Sequence, residues 1–258
     1  MKGLIAAFRT LTIIPMPGKE CDDFSASLPW FPVVGFVIGL ILYGIGFVFE
    51  LLPFSRWPAG AAISMAVAEI WITRGLHLDG LADWADSLGS IKGKEKKLAI
   101  MKDTYLGAFG TIALITVITA KWLAFERLLI FGSAIWIPVI FALSRGMMVV
   151  LITILPYARA SGGMASPFVR GASSRHRAAS YLLCLLFCLP FGPIAPALFC
   201  IARCIVWLMG IRFRLGFGGI TGDLLGTANE TIAITLLMVI ALTGKTLLNF
   251  TGWSWIFR

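Results

Sequence analysis

From Trp30 to Phe49 the chain carries no charged side chain, and the apolar run reaches Leu52 with Glu50 as its one interruption. About 20 apolar residues are enough to take a helix across the hydrocarbon core of a bilayer. Further apolar windows, bounded by proline, glycine or charge, lie at about 58–76, 108–126, 133–155 and 228–248. A longer block at 179–211 is broken by Pro190, Pro193 and Pro196. Divided at those prolines into two short helices, it brings the expectation to about seven spans, with six and eight as its bounds. Hydrophobic residues make up 59% and charged residues 14% of the 258, with a mean hydropathy of +0.90. Soluble domains average about 45–50% and about 25%, and disordered chains need the opposite balance. The expected fold class is therefore all-α: a polytopic helical bundle in a membrane, one domain over residues 1–258 without an internal repeat.

The net charge of +9 has a topological reading. Segments expected on one side of the bilayer hold fourteen of the 22 Lys and Arg residues, whereas the turns expected on the other hold Arg56 and Arg127. That asymmetry marks the first side as cytoplasmic and favours contact with anionic lipid. Nucleic acid is not expected, because no basic run alternates with aromatic residues. At the amino end, Leu4, Ile5, Phe8 and Leu11 share one helical face ahead of Pro15 and Pro17, with Arg9 inside the run. This pattern predicts an interfacial helix lying on the membrane rather than a cleaved signal. Cys184/Cys188 and Cys200/Cys204 are spaced by four and Cys21 stands alone, so they read as apolar filler, not as zinc ligands.

The 13 acidic residues are scarce, and three short motifs hold the informative ones. In His77-Leu78-Asp79-Gly80-Leu81-Ala82-Asp83-Trp84-Ala85-Asp86, the three aspartates fall on one helical face. Like charges so placed repel, and a bridging hard cation, Mg²⁺ or Mn²⁺, relieves them through oxygen ligands. A solvated acidic face is the plain alternative, against which stand the Leu, Ala and Trp between the acids. Met101-Lys102-Asp103 precedes Gly107 and Gly110; a helix cap with a juxtamembrane lysine explains it as well as a site does. Between Gly216 and Glu230, five glycines surround Thr221 and Asp223, residues able to cap the helix that follows. Such a turn suits phosphate, and a flexible connection is its plain alternative.

Charges inside spans carry a functional expectation. Arg145 needs an anion, either the aspartate cluster or a substrate phosphate. Glu69 is expected in a structural ion pair with an inward base, and Arg74, Lys121 and Arg203 are further intramembrane charges. Arg159, beside Tyr157 and the Gly162-Gly163 pair, is assigned to substrate, and Arg175 and Arg177 to lipid headgroups. A nucleotide-binding P-loop is excluded because Val239 stands where the glycine upstream of Gly244-Lys245-Thr246 is needed. GxSxG, HExxH and CxxC are absent. An acid cluster, arginines and a glycine-rich turn at one face suggest phosphoryl chemistry on a diphosphate. A transporter or channel with a cation site would instead place its acids in mid-span.

Two families share these features. The CDP-alcohol phosphotransferases, which act on lipid head groups, also space aspartates along helices, but their downstream GxxxDxxxD is missing here. The chain more closely resembles the cobalamin synthase family, the adenosylcobinamide-GDP ribazoletransferases. The resemblance rests on Phe31-Pro32-Val33-Val34-Gly35, His77 to Asp83 (HLDGLAD), Met101 to Gly110, Ser144-Arg145-Gly146, Tyr157-Ala158-Arg159, and Gly218 to Gly226 followed by Glu230. They stand in that order over about residues 4–235. The resemblance implies Mg²⁺-dependent transfer from adenosylcobinamide-GDP to α-ribazole or its 5′-phosphate, with release of GMP. It implies Mg²⁺ on Asp79, Asp83, Asp86 and Asp223, and catalysis by Asp79, Asp83 or Glu230. Substrate contacts are implied for His77, Lys102, Asp103, Arg145, Arg159, Gly219, Thr221 and Gly222. The expected location is a bacterial cytoplasmic (inner) membrane, crossed several times, with the site on the cytoplasmic face. Lipid is a partner, and a homo-oligomer is left open.

Overall fold

The computed structural model describes residues 2–19, 21, 23–52, 57–89, 93–192, 194–246 and 251–253. Arg56, Lys92, Pro53, Pro193 and the end of the last expected span, residues 247 and 248, lie outside the described residues. The architecture is an all-α membrane bundle. Its helices, among the described residues, are α1 (Lys2–Leu11), α2 (Phe31–Leu51), α3 (Pro58–Ile72), α4 (Leu76–Leu88), α5 (Lys94–Ile100), α6 (Ala108–Ile130), α7 (Ile137–Ile154), α8 (Ser166–Arg170), α9 (Ser174–Cys188), α10 (Ile194–Phe217) and α11 (Gly222–Thr243).

Among the described residues, five stretches are long and apolar enough to cross a membrane: Phe24–Leu51, Ala108–Ile130, Ala134–Ile154, Ile194–Phe217 and Gly222–Thr246. That is fewer than the seven expected. α3 and α9, at 15 residues each, reach only about 22 Å. Each has a local terminator. After α3, Arg74 and Gly75 both take left-handed backbone (φ 55 and 64) and turn the chain directly into α4. Arg74 then donates to the carbonyls of Arg9 and Thr10, 3.3 Å each, at the end of α1. After α9, Leu189–Phe191 tightens to a 3₁₀ turn and Gly192 (φ 78) reverses direction.

Other boundaries moved in the opposite sense. Arg127, expected in a turn, sits in the last turn of α6 and donates to the Ala241 carbonyl, 2.7 Å. Arg212 and Arg214 continue α10, because Phe213 and Phe217 extend its buried stripe. The glycine-rich stretch thus shrinks to Gly218–Thr221. α1 also differs from expectation. Ala7, Phe8 and Leu11 face the 3₁₀ segment Phe24–Trp30, a Cβ on Gly3 would strike the Ala26 carbonyl, and Leu4 and Ile5 stay partly exposed. Protein, not only membrane, covers its apolar face. Cys184 and Cys188 are buried filler as expected, but Cys200 and Cys204 are exposed.

The core centres on α7, which is buried almost all round and packs against α2, α9, α10 and α11. Glycines let backbones approach where lipid offers no hydrophobic drive between helices. A Cβ on Gly39 of α2 would stand 2.5 Å from the Pro138 Cα of α7, and one on Gly35 would meet the Phe141 carbonyl. Inside this packing lie four charges from four helices. Lys121 of α6 sits between Glu69 of α3 (2.7 Å) and Glu230 of α11 (2.6 Å), all with side chains at most 4% exposed. Arg145 of α7 lies 3.8 Å from Glu69, bonds Ser144 Oγ at 3.0 Å and stacks over Phe141 at 4.6 Å. Glu69 has the inward basic partner its place in α3 called for. The group sums to zero charge, which is what makes it tolerable away from water.

Removing one member leaves an uncompensated charge. Lys121→Met is expected to cost about 3–5 kcal/mol, read as unfolding in detergent by tryptophan fluorescence. Adding Glu69→Gln, which rebalances the group to Arg145 and Glu230, should restore a substantial part. A double variant no more stable than the single one would show that charge balance is not what holds the four helices.

Candidate active site

The acid helix α4 crosses the start of α11 at two glycines. A Cβ on Gly80 would fall 2.6 Å from the Asp223 carbonyl oxygen and 2.7 Å from its Cα, and one on Gly226 would fall 3.0 Å from the His77 Cα. Thr227 Oγ1 shares its one hydroxyl hydrogen between the carbonyls of Gly80 (3.0 Å) and Asp223 (2.9 Å), locking the crossing. Asp79, Asp83 and Asp223 therefore share one region, although Asp223 stands 140 or more positions beyond either α4 aspartate in sequence.

Electrostatics report the same proximity. Burial first, then the charges of Asp79 and Asp223, push the Asp83 carboxyl up to about 7, with Arg159 pulling the other way. Asp79 is exposed, and Asp83 is partly so. Asp223 Oδ2 accepts from Arg159 Nη2 at 2.9 Å and from Thr221 Oγ1 at 3.2 Å, while Thr221 Oγ1 accepts the Leu224 amide at 3.3 Å as the α11 cap. Arg159 is itself fixed by the Met101 carbonyl, 3.1 Å. Its segment pairs with the glycine turn: the Ile220 amide donates to the Pro156 carbonyl (2.9 Å) and the Ala158 amide to the Ile220 carbonyl (2.8 Å). A Cβ on Gly219 would strike the Pro156 carbonyl. Gly219 thus permits this pairing, whereas Gly222 opens α11 with nothing within 4 Å of its Cβ position.

Asp86 has a different occupation. Its Oδ2 accepts the Gly107 amide and its Oδ1 the Gly110 amide, each at 2.8 Å, so it caps the start of α6. A side chain at either glycine would collide with that carboxylate. The second motif is thereby explained as the docking of α6 on α4. Lys102 and Asp103 are exposed between α5 and α6, and Asp103 Oδ1 accepts from the Tyr105 amide at 3.4 Å. Arg145 and Glu230 do not join the aspartates; both belong to the buried ion group. Glu230 lies two turns beyond Asp223, roughly 10 Å along the α11 axis. His77 is buried, its Nδ1 3.0 Å from Asn229 Nδ2. Burial, then the nearby Arg145 cation, bring its imidazole down to about 3, so it is neutral.

Two features escaped sequence reasoning. Lys94 and Lys97 of α5, counted only as topology, approach the glycine turn: Lys94 Nζ would lie 3.8 Å from a Gly218 Cβ and Lys97 Nζ lies 6.0 Å from the Phe217 ring. The KEKK run just before Met101 was the available signal. Asn229, inside an apolar helix beside Glu230, was the other.

The donor set is oxygen only. Among the described residues no three His, Cys, Asp or Glu side chains converge as a ready metal cage. That pattern suits Mg²⁺, which uses one or two carboxylates and takes its other ligands from water and substrate phosphate. With Arg159 beside Asp223 and lysines on α5, the region brings carboxylates and basic side chains together.

Comparison with known proteins gives matches over nearly the whole length. A family model described as cobalamin-5-phosphate synthase matches residues 3–241. An adenosylcobinamide-GDP ribazoletransferase of Chlorobium phaeobacteroides (strain BS1) is 42% identical over 89% of this chain and 93% of its own. One of Chlorobium chlorochromatii (strain CaD3) is 39% identical over 96% and 97%. One of Novosphingobium aromaticivorans is 32% identical over 95% and 98%. No solved structure matches.

The crossing at Gly80 gives a direct test. Gly80→Ala must push α4 from backbone atoms of Asp223, at a cost of about 1–3 kcal/mol. Gly222→Ala meets nothing and should leave the unfolding midpoint unchanged or slightly raised. Equal midpoints for the two variants in detergent would refute the close crossing.

Proposed function

The chain belongs to the cobalamin-5-phosphate synthase family, and we propose that it transfers the adenosylcobinamide phosphate group of adenosylcobinamide-GDP to α-ribazole or α-ribazole 5′-phosphate. A ribose hydroxyl of the acceptor attacks the phosphorus next to cobinamide, the bond to the bridging oxygen breaks, and GMP leaves with that oxygen. The observation that carries this reading is the meeting of Asp79 and Asp83 on α4 with Asp223 and Arg159. It is a carboxylate-and-guanidinium set suited to a diphosphate.

Asp79 and Asp83, four residues apart on one face, would hold Mg²⁺ together with substrate oxygens. When bound, Mg²⁺ supplies charge neutralisation on the diphosphate. Arg159 stabilises the charge that grows on the departing phosphate, and Lys94 and Lys102 raise the local concentration of anionic substrate. Asp223 is oriented through Oδ2 by Arg159 and Thr221. Its Oδ1, without a protein partner among the described residues, takes the proton from the attacking hydroxyl. Asp86 keeps α4 and α6 in register. Glu230 and Arg145, too deep to touch the diphosphate, act through the fold. The acids stand on the short helix α4 and in the first turn of α11, beside the basic segments, which supports a site at the cytoplasmic face of a bacterial inner membrane, with lipid covering the apolar helices.

Purified protein in detergent, given adenosylcobinamide-GDP, α-ribazole and Mg²⁺, should release GMP only when both substrates are present. GMP release without ribazole, or transfer to a lipid alcohol instead, would overturn the assignment. Asp83→Asn should lower GMP release by about 100-fold or more while the protein stays monodisperse. Cation binding must also displace the Asp83 proton at low pH. The Mg²⁺ concentration for half activity should therefore rise about tenfold per pH unit below 7 and level off above it. A flat dependence across that window would remove Asp83 from the cation site.

A further inference from the structure

The buried ion group and the acid helix meet at one side chain. Asn229 Nδ2 bonds Glu230 Oε1 at 3.2 Å and His77 Nδ1 at 3.0 Å, and all three residues are buried. The amide can face only one way. Turning Oδ1 toward Glu230 would oppose two acceptors, so Nδ2 donates one hydrogen to the carboxylate and the other to the imidazole. His77 Nδ1 therefore accepts, and its proton sits on Nε2. Lys121 holds the other oxygen of Glu230 at 2.6 Å. A continuous chain of bonds thus runs from Lys121 through Glu230 and Asn229 to His77, in the first turn of α4.

Asp79 follows His77 by two residues and Asp83 by six, the latter about 9 Å along the helix. α4 is held at three places: at His77 by Asn229, at Gly80 by its contact with Asp223, and at Asp86 by the α6 amides. The Gly80 contact, closed by the Thr227 hydroxyl, fixes the middle of the helix, and the bonds at His77 and Asp86 fix its two ends. The cation site lies between those ends, so the bond at His77 sets the depth and rotation of its first turn. His77 Nε2 and Asn229 Oδ1 have no hydrogen-bond partner, so Asn229 contributes here only through Nδ2.

We propose that Asn229 is a positioning residue for the transfer reaction: by bonding Glu230 and His77 together it sets the register of α4, and so the spacing of Asp79 and Asp83 from Asp223. This inference rests on the functional reading above. It deepens that reading by assigning the intramembrane charges a role in shaping a site they do not touch.

The test is a double-mutant cycle on detergent-purified, monodisperse protein with Asn229→Ala, His77→Ala and the pair. Three quantities are read: kcat and KM for GMP release, the unfolding midpoint, and Mn²⁺ affinity by electron paramagnetic resonance. Asn229→Ala should lower kcat about tenfold or more and weaken Mn²⁺ by a similar factor, with KM for adenosylcobinamide-GDP within about twofold. The double variant should lose no more than the worse single one, because both break the same link. Wild-type Mn²⁺ affinity in Asn229→Ala, or losses that add, would overturn the proposal. If Asn229→Ala is not monodisperse, Asn229→Leu, which removes the donor while filling the same space, is judged by the same criteria. Aggregation of both would make Asn229 a folding residue and also overturn it. Failure of the underlying reading looks different: wild-type protein would release no GMP, while the Mn²⁺ and unfolding measurements would still give their answer.

Discussion

Charges placed beyond the reach of water must cancel among themselves. Glu69, Lys121, Arg145 and Glu230 come from four helices, and their proximity obliges α3, α6, α7 and α11 to assemble together. In a bilayer, apolar side chains gain little by leaving lipid for protein, so they specify partners weakly. A neutral quartet of buried charges specifies them strongly, since any other arrangement strands at least one ion. The glycine crossings of α2 on α7 and α4 on α11 then refine an assembly whose members the charges have selected.

The family motifs divide into two kinds of residue. Asp79, Asp83, Asp223 and Arg159 form a chemical surface. Gly80, Gly107, Gly110, Gly219, Gly226 and Asp86 make it possible to bring helices from distant parts of the chain close enough for that surface to exist. Within HLDGLAD the alternation is residue by residue: an anchor at His77, a carboxylate at Asp79, a contact point at Gly80 and a carboxylate at Asp83. A motif of this kind cannot be read as a list of ligands, because half of it is carpentry for the other half.

Much of this was legible in the sequence. Apolar windows located the main helices, the i, i+4, i+7 aspartates gave the acid face, and Thr221 was correctly expected as a cap. What hid was whatever depends on where a helix stops or which neighbour it meets. α3 and α9 are short because of left-handed and 3₁₀ turns that hydropathy does not register. Arg145 was expected to meet the aspartate cluster or a substrate phosphate, and only packing reveals that its anion is Glu69. Asp86 looked like a third cation ligand, because nothing local says that two glycine amides more than twenty residues away will take both of its oxygens. Asn229 was hidden by an apolar setting, where a lone amide carries no periodic signal.

The cap that Asp86 forms on α6 has a consequence for traffic through the site. α4 behaves as a beam fixed at both ends, with α11 pressed against its middle, so the helix that carries the carboxylates cannot swing aside to admit a bulky corrinoid. The walls formed by α4, α6 and α11 are the stationary ones. The remaining border of the site is shared by the segment that carries Arg159 and the stretch from Lys94 to Tyr105, a short lysine-bearing helix and a connection that is exposed except at the buried Met101. Among the described elements around the acids, that border has the least packed against it. A large substrate therefore meets its least obstructed approach on the side where the lysines stand.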